Sequence, residues 1–147
     1  MNEIDRIDQF VVTKLGADAQ LVALVGTRVY KDQAPADAVF PLVIFRSYDG
    51  PDTTANGGRR VMVSPLYQVF GVDIEGGSGV ASSNAKVAVK NIADRIDAVL
   101  QAASGDAGSD AYVSQVLRER TYDMTSEESG VLYRYLGGFY RVWAYAL

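Results

Sequence analysis

The run Leu42-Val43-Ile44-Phe45 is apolar on both faces of any strand it forms. Side chains alternate across a strand, so a strand at a molecular surface needs only one apolar face. A strand apolar on both is central in a layered fold or covered by another subunit. The run closes a longer stretch, Arg28–Phe45, RVYKDQAPADAVFPLVIF, which holds two of the four prolines. The chain is helical in pattern before this stretch. After it the pattern is mostly strand, with one long helix interposed. Arg28–Phe45 is therefore the pivot around which helices and sheet must be arranged.

Before the pivot, Asn2 is placed to cap a helix over Glu3–Leu15. Its stripe is Ile4, Ile7, Val11, Val12 and Leu15, at three- and four-residue spacing. Gly16 is a stop. Asp18 is placed to cap a second, short helix that turns Leu21, Val22, Leu24 and Val25 inward and ends at Gly26. Arg28-Val29-Tyr30 reads as a short strand. Lys31–Phe40 reads as a loop, and Pro41 fits the first residue of the strand to Tyr48, since proline has no donor to lose.

After the pivot, DGPDTTANGG, Asp49–Gly58, reads as an exposed hairpin tip. Arg59–Ile74 is the returning strand, with a bulge or an edge position at Pro65. Glu75–Ser82 is a flexible connector. Ser83 or Asn84 caps the strongest helix, which runs to about Ala103 with Ala85, Val89, Ile92, Ile96, Val99, Leu100 and Ala103 as its stripe. Tyr112–Asp123 is a strand with Val113, Gln115, Leu117 and Glu119 on one side. Met124–Gly130 is an acidic turn. Val131–Ala146 is the last strand, with Tyr133, Tyr135, Phe139, Trp143 and Tyr145 on one face. Gly137-Gly138 marks a bulge or the close approach of another backbone.

The expected fold is α+β, with element order α-α-β-β-β-α-β-β: a mixed, mainly antiparallel sheet of four to five strands, with helices packed on one face. The 147 residues fit one domain, 1–147. The opposite sheet face keeps too many aromatic residues for plain solvent. Nine tyrosines suit interfaces as well as cores, because each buries area and keeps a polar handle.

Composition narrows the chemistry. With no cysteine there is no disulfide scaffold, thiolate zinc site or cysteine nucleophile. With no histidine the commonest general base and metal ligand are missing. A formal charge of −4 is the reverse of a duplex-binding domain. No apolar run approaches the roughly 20 residues of a membrane span, and the polar start, MNEIDRID, does not read as a signal peptide.

Each residual site has a plainer reading beside it. Gly77-Ser78-Gly79 lies where phosphate loops lie but has no Gly-Lys-Ser/Thr ending, so it reads as a connector. Asp73 and Glu75 share a face and are able to hold Mg²⁺, but no lysine follows before Lys86, and charged strand ends are common. Arg59-Arg60 are too few for a nucleic-acid patch and fit a subunit rim or a solvated strand end. Asp123, Glu127 and Glu128 make a solvated acidic tip, or a negative lining if the protein forms a ring around DNA. The aromatic stripe of the last strand is core, or exceeds what one helical layer covers and meets a neighbouring subunit. No convergent catalytic set is found, and the expected class is non-enzymatic with no cofactor.

Across Leu21–Phe45 the order is an apolar helix ending in Gly, then Arg28-Val29-Tyr30, then Ala34-Pro35, then Pro41-Leu42-Val43-Ile44-Phe45. This resembles the tail-completion family of long-tailed bacteriophages, also called tail terminators or tail-to-head joining proteins. Arg28, Val29, Tyr30, Ala34, Pro35, Pro41, Val43 and Phe45 carry the likeness; the rest of the chain matches in element order and length. The resemblance implies a structural virion protein, a ring, typically a hexamer, at the head-proximal end of the tail tube. It implies that the ring stops tube polymerisation and joins the tail to the head connector. The implied partners are other copies of itself, the tube protein and the neck protein, with DNA only passing through the lumen and no membrane. The implied location is the virion, with host cytoplasm during assembly. Under this reading Asp49, Asp52, Asn56, Arg59, Arg60, Tyr133, Tyr135 and Trp143 are candidate interface residues, and Glu127 and Glu128 candidate lumen residues. The alternatives are a neck adaptor or head-closure protein, or a small α+β binding domain of a host cell.

Overall fold

The computed structural model describes residues 3–58, 60–77 and 84–146. In chain order the elements are α1 (Glu3–Gly16), α2 (Ala19–Val25), β1 (Val29–Lys31), β2 (Leu42–Tyr48), β3 (Asp52–Thr54), β4 (Arg60–Val63), β5 (Leu66–Gly77), α3 (Ala85–Leu100), β6 (Gly105–Asp106), β7 (Ala111–Glu128) and β8 (Val131–Ala146). The expected Asn2 and Ser83 caps and most of the Gly77-Ser78-Gly79 turn lie outside the described residues.

Among the described residues the sheet has eight strands rather than four to five, and eleven of the tyrosine and phenylalanine rings enter pairwise ring contacts. It is mixed as expected: β1 runs parallel to β2, and every other pairing is antiparallel. The surplus strands have local causes. Ser64-Pro65 splits the single expected strand into β4 and β5, because proline cannot donate to the ladder. Three residues of the expected hairpin tip pair with β4 as β3. Gly105-Asp106 pairs with β7 as β6.

One face of the sheet carries the helices. Ile7, Phe10, Leu15, Leu21, Val25, Ile92, Ile96 and Leu100 pack there on Val43, Phe45, Tyr67, Val69, Tyr140 and Val142. Burying each large apolar side chain stabilises the fold by about 1.5–3 kcal/mol. α3 sits so close that a Cβ on Gly71 falls 2.7 Å from Ile92 Cγ2, which explains the glycine. Two buried tyrosines pin the layers together: Tyr67 donates to Asp8 of α1, and Tyr140 donates to Asp97 of α3 at 3.1 Å. Burial, with a carboxylate beside each, pushes both phenols far above their ordinary range.

The helix stripes need one revision each. In α1 Phe10 is buried and Val12 is 43% exposed; in α2 Val22 is 39% exposed. The true stripes are narrower, because each helix faces one layer only. α3 stops at Leu100, not Ala103, because Ala102 turns left-handed (φ 62°) to donate to Val116 O at 2.7 Å. Asp18 caps α2 as expected, accepting from Leu21 N at 3.0 Å, and also takes a bidentate ion pair from Arg95 of α3 at 2.7 and 3.0 Å. The hydrogen bonds from Arg95 hold the Asp18 carboxyl below its usual range.

β7 departs furthest from the sequence reading. It runs on to Glu128, so the expected acidic turn over Met124–Gly130 is strand with a two-residue turn. Ser129 and Gly130 both have positive φ, 52° and 78°, the geometry of a tight hairpin turn. Two bulges, at 113–115 and 118–120, each switch the alternation. Val113 therefore faces the helices, whereas Gln115, Leu117 and Glu119 do not.

Candidate assembly surface

The motif divides its side chains between the two sheet faces, Val29, Val43 and Phe45 on the helix side and Tyr30 and Ala34 on the other, and its hydrogen bonds to the backbone build a clamp. The ladder of β1 on β2 matches Val29 with Val43, Tyr30 with Ile44 and Lys31 with Phe45. Arg28 Nε donates to Pro41 O at 3.0 Å, and Val43 N donates to Arg28 O at 2.9 Å, so both ends of the stretch are tied. The chain between them folds across the sheet face that lacks helices. Ala34, Ala38 and Phe40 pack there against Leu42, Ile44, Phe70 and Val72, and Pro35 O accepts from Ala38 N at 3.0 Å. The two-faced apolar strand is thus buried between the helices and its own preceding loop. Leu42 and Val43 are fully buried.

Beyond that loop the helix-free face stays open. Tyr133, Tyr135, Phe139, Trp143 and Tyr145 lie on it, as the alternation in β8 requires, while Tyr140, Val142 and Ala144 face the helices. The rings interlock: Phe40 with Tyr133 at 5.5 Å, Phe70 with Tyr135 at 5.6 Å and with Tyr122 at 5.1 Å, and Tyr122 edge-on to Phe139 at 5.8 Å. Two guanidinium groups lie over this layer, Arg120 at 4.1 Å from the Phe139 ring and Arg46 at 5.5 Å from Phe70. Tyr48 is 46% exposed at its rim. Gly137 is the close backbone approach expected there: a Cβ on it falls 2.0 Å from Val69 O.

The hairpin of β7 and β8 passes beyond the helices, and its outer strand is exposed over most of residues 117–128. Glu127 and Glu128 are both exposed, but they pair with Leu132 and Val131 and point to opposite faces. Asp123 faces the helix side, beside Lys86, Lys90, Arg134 and Leu136 in a shallow cleft of about 90 Å³.

Asp49, Asp52 and Arg60 line one cleft of about 300 Å³ with Ser47, Tyr48 and Ser64. Arg60 lies 3.8 Å from Asp52. Asn56 is exposed in the adjoining turn, and Arg59 lies outside the described residues. The carboxylates considered for a metal are otherwise engaged. Glu75 is paired with Arg134 at 3.3 Å, and Asp73 accepts from Ile74 N at 2.8 Å, with burial raising its pKa. Among the described residues no cluster of three metal-ligating side chains forms. Nor, among those residues, is any helix long and apolar enough to cross a membrane.

Sequence reasoning missed the loop folded over the open face and the continuation of β7. The loop's one signal was the apolar set Ala34, Ala38 and Phe40 after the polar Lys31-Asp32-Gln33.

Comparison with known families and structures agrees with this architecture. A family model described as tail completion protein gp17 matches residues 9–142. A chain in the solved structure of the virion of a native gene transfer agent particle is similar in fold. It is 21% identical, with a TM-score of 0.62 over 90% of each chain. No curated protein matches.

Proposed function

The chain belongs to the tail completion protein gp17 family, and on that premise we propose that it is a structural virion protein that finishes a phage tail. It forms a ring, a hexamer, on the head-proximal end of the tail tube. The observation that carries this reading is the family match across residues 9–142. The similar fold within a gene transfer agent virion supports a place in a particle.

The mechanism is geometric. A tube grows because every ring offers the next the same heterologous contact; a ring with one matching and one different face ends the repeat. The different face then meets the head connector. In this reading the protein works as one domain, by shape and not by catalysis. The open aromatic face, with Tyr133, Tyr135 and Trp143, and the cleft of Asp49, Asp52 and Arg60 are its contact surfaces. An aromatic layer rimmed by polar groups is the composition of a recognition surface. The acidic hairpin end, Glu127 and Glu128, lines the passage and lets DNA slide by without adhering. Deleting the gene from its phage gives overlong or headless tails. Tails of normal length joined to heads refute the proposal.

A further inference from the structure

The outer edge of β7 is closed along one half and open along the other. β6 pairs with Tyr112 and Val113, Ala102 N donates to Val116 O, and Gln101 Oε1 accepts from Arg118 N at 2.8 Å. There the closure stops. Among the described residues, no backbone hydrogen bond reaches residues 119–128 except those to β8. That leaves about 33 Å of strand edge at roughly 3.3 Å per residue. The sheet's other long boundary is blunted: β1 is short, Val29 N is taken by Thr27 O, and Lys31 O by Gln33 N. An exposed edge of this length without proline is a template for another strand.

We propose that the open edge of β7 pairs with the same edge of a second copy, antiparallel about Met124. The charges select this register. Arg120, Met124 and Glu128 lie on the open face, opposite Phe139, Tyr135 and Val131. Pairing about Met124 puts Arg120 opposite Glu128 of the second copy, and the reverse, at the two ends. Met124, 44% exposed in the single chain, meets its own counterpart at the centre. Asp123 faces Thr125. Moving the centre to Asp123 sets that carboxylate against itself, and moving it to Thr125 sets Asp123 against Glu127; like charges directly opposite are unfavourable. The contact is isologous and closes on itself, so it cannot run round a ring. It is a resting dimer that sheathes the edge before assembly and comes apart when the ring is built.

The test is sedimentation of the full chain. The wild type is expected to be a concentration-dependent dimer. Arg120→Glu and Glu128→Arg are each expected to weaken it by about tenfold to a hundredfold, since each variant replaces two attractive pairs by two repulsive ones. Mixing the two variants is expected to restore a mixed dimer, in which both pairs are again opposite in sign. Arg120→Glu also loses its ring contact with Phe139, so circular dichroism checks its fold, and restoration on mixing separates misfolding from lost pairing. A wild type that stays monomeric at its highest soluble concentration overturns the proposal. So does an assembly indifferent to both reversals, or a mixture that fails to pair. The ring is tested separately, on tails, and survives either result.

Discussion

The two halves of the β7–β8 hairpin share a ladder and differ in everything around it. In the half nearest the chain ends, Val113, Val116, Val142 and Ala144 lie under the helices, and the edge is sealed by β6, Ala102 and Gln101. In the half nearest the turn, β7 is mostly exposed, and among the described residues its backbone bonds only to β8. The same local structure serves as scaffold where a second layer covers it and as surface where no described residue does. Local stability should follow that division.

The sharpest way to break the comparison is to damage each half alike. Ile92→Ala removes a fully buried side chain from the α3 layer and should cost about 2–5 kcal/mol in urea unfolding. Met124→Ala, on the open half, should stay within about 0.5 kcal/mol when both proteins are compared as monomers. Equal losses would mean that the hairpin end is packed as firmly as the core.

Next in size is the clamp that lays residues 32–41 over the open face. Arg28→Ala removes the donor to Pro41 O and should cost about 1.5–3 kcal/mol, the range for a hydrogen bond from a charged group. It should also quench or shift tyrosine fluorescence by freeing Phe40 from Tyr133. Unchanged stability would show that the apolar packing holds the loop without the clamp.

Smaller is Asp18→Ala, expected to cost about 1 kcal/mol for the lost cap. Its pH dependence sharpens the point. The Arg95 hydrogen bonds lower the folded Asp18 pKa below the ordinary aspartate range. The unfolded state therefore binds the proton more readily, and the contribution is present above the unfolded pKa. It is lost as pH falls through the folded value. The difference between wild type and variant should shrink as pH falls through the folded carboxyl's range; a constant difference would assign the effect to the cap alone.

Much of the scaffold half was legible in the sequence. The bounds of β2 and β8, the Asp18 cap and the buried stripe of α3 all follow from periodicity and capping chemistry. The open half was not, for identifiable reasons. Two bulges in β7 break the two-residue period on which a strand is recognised. Its end, Thr125–Glu128, is polar on both faces and imitates a turn. Gln101 and Ala102 give no hint that they seal an edge across the fold. The aromatic stripe of β8 was read correctly as one face, but only the partner strands reveal that the helices lie on the other. The motif residues that pointed to the family proved to be a folding device, with Arg28, Pro41 and Val43 bonded to one another.

Hydrogen–deuterium exchange on the free protein and on protein incorporated into tails tests the division most directly. In the free chain, diluted until it is monomeric, the amides of 111–118 should exchange slowly and those at the outer edge of 119–128 faster. On assembly, protection should appear in the hairpin end and the strands bearing Tyr133 and Tyr135, with 111–118 unchanged. If the hairpin end exchanges equally fast in the assembled tail, it is not the surface through which this protein joins other molecules.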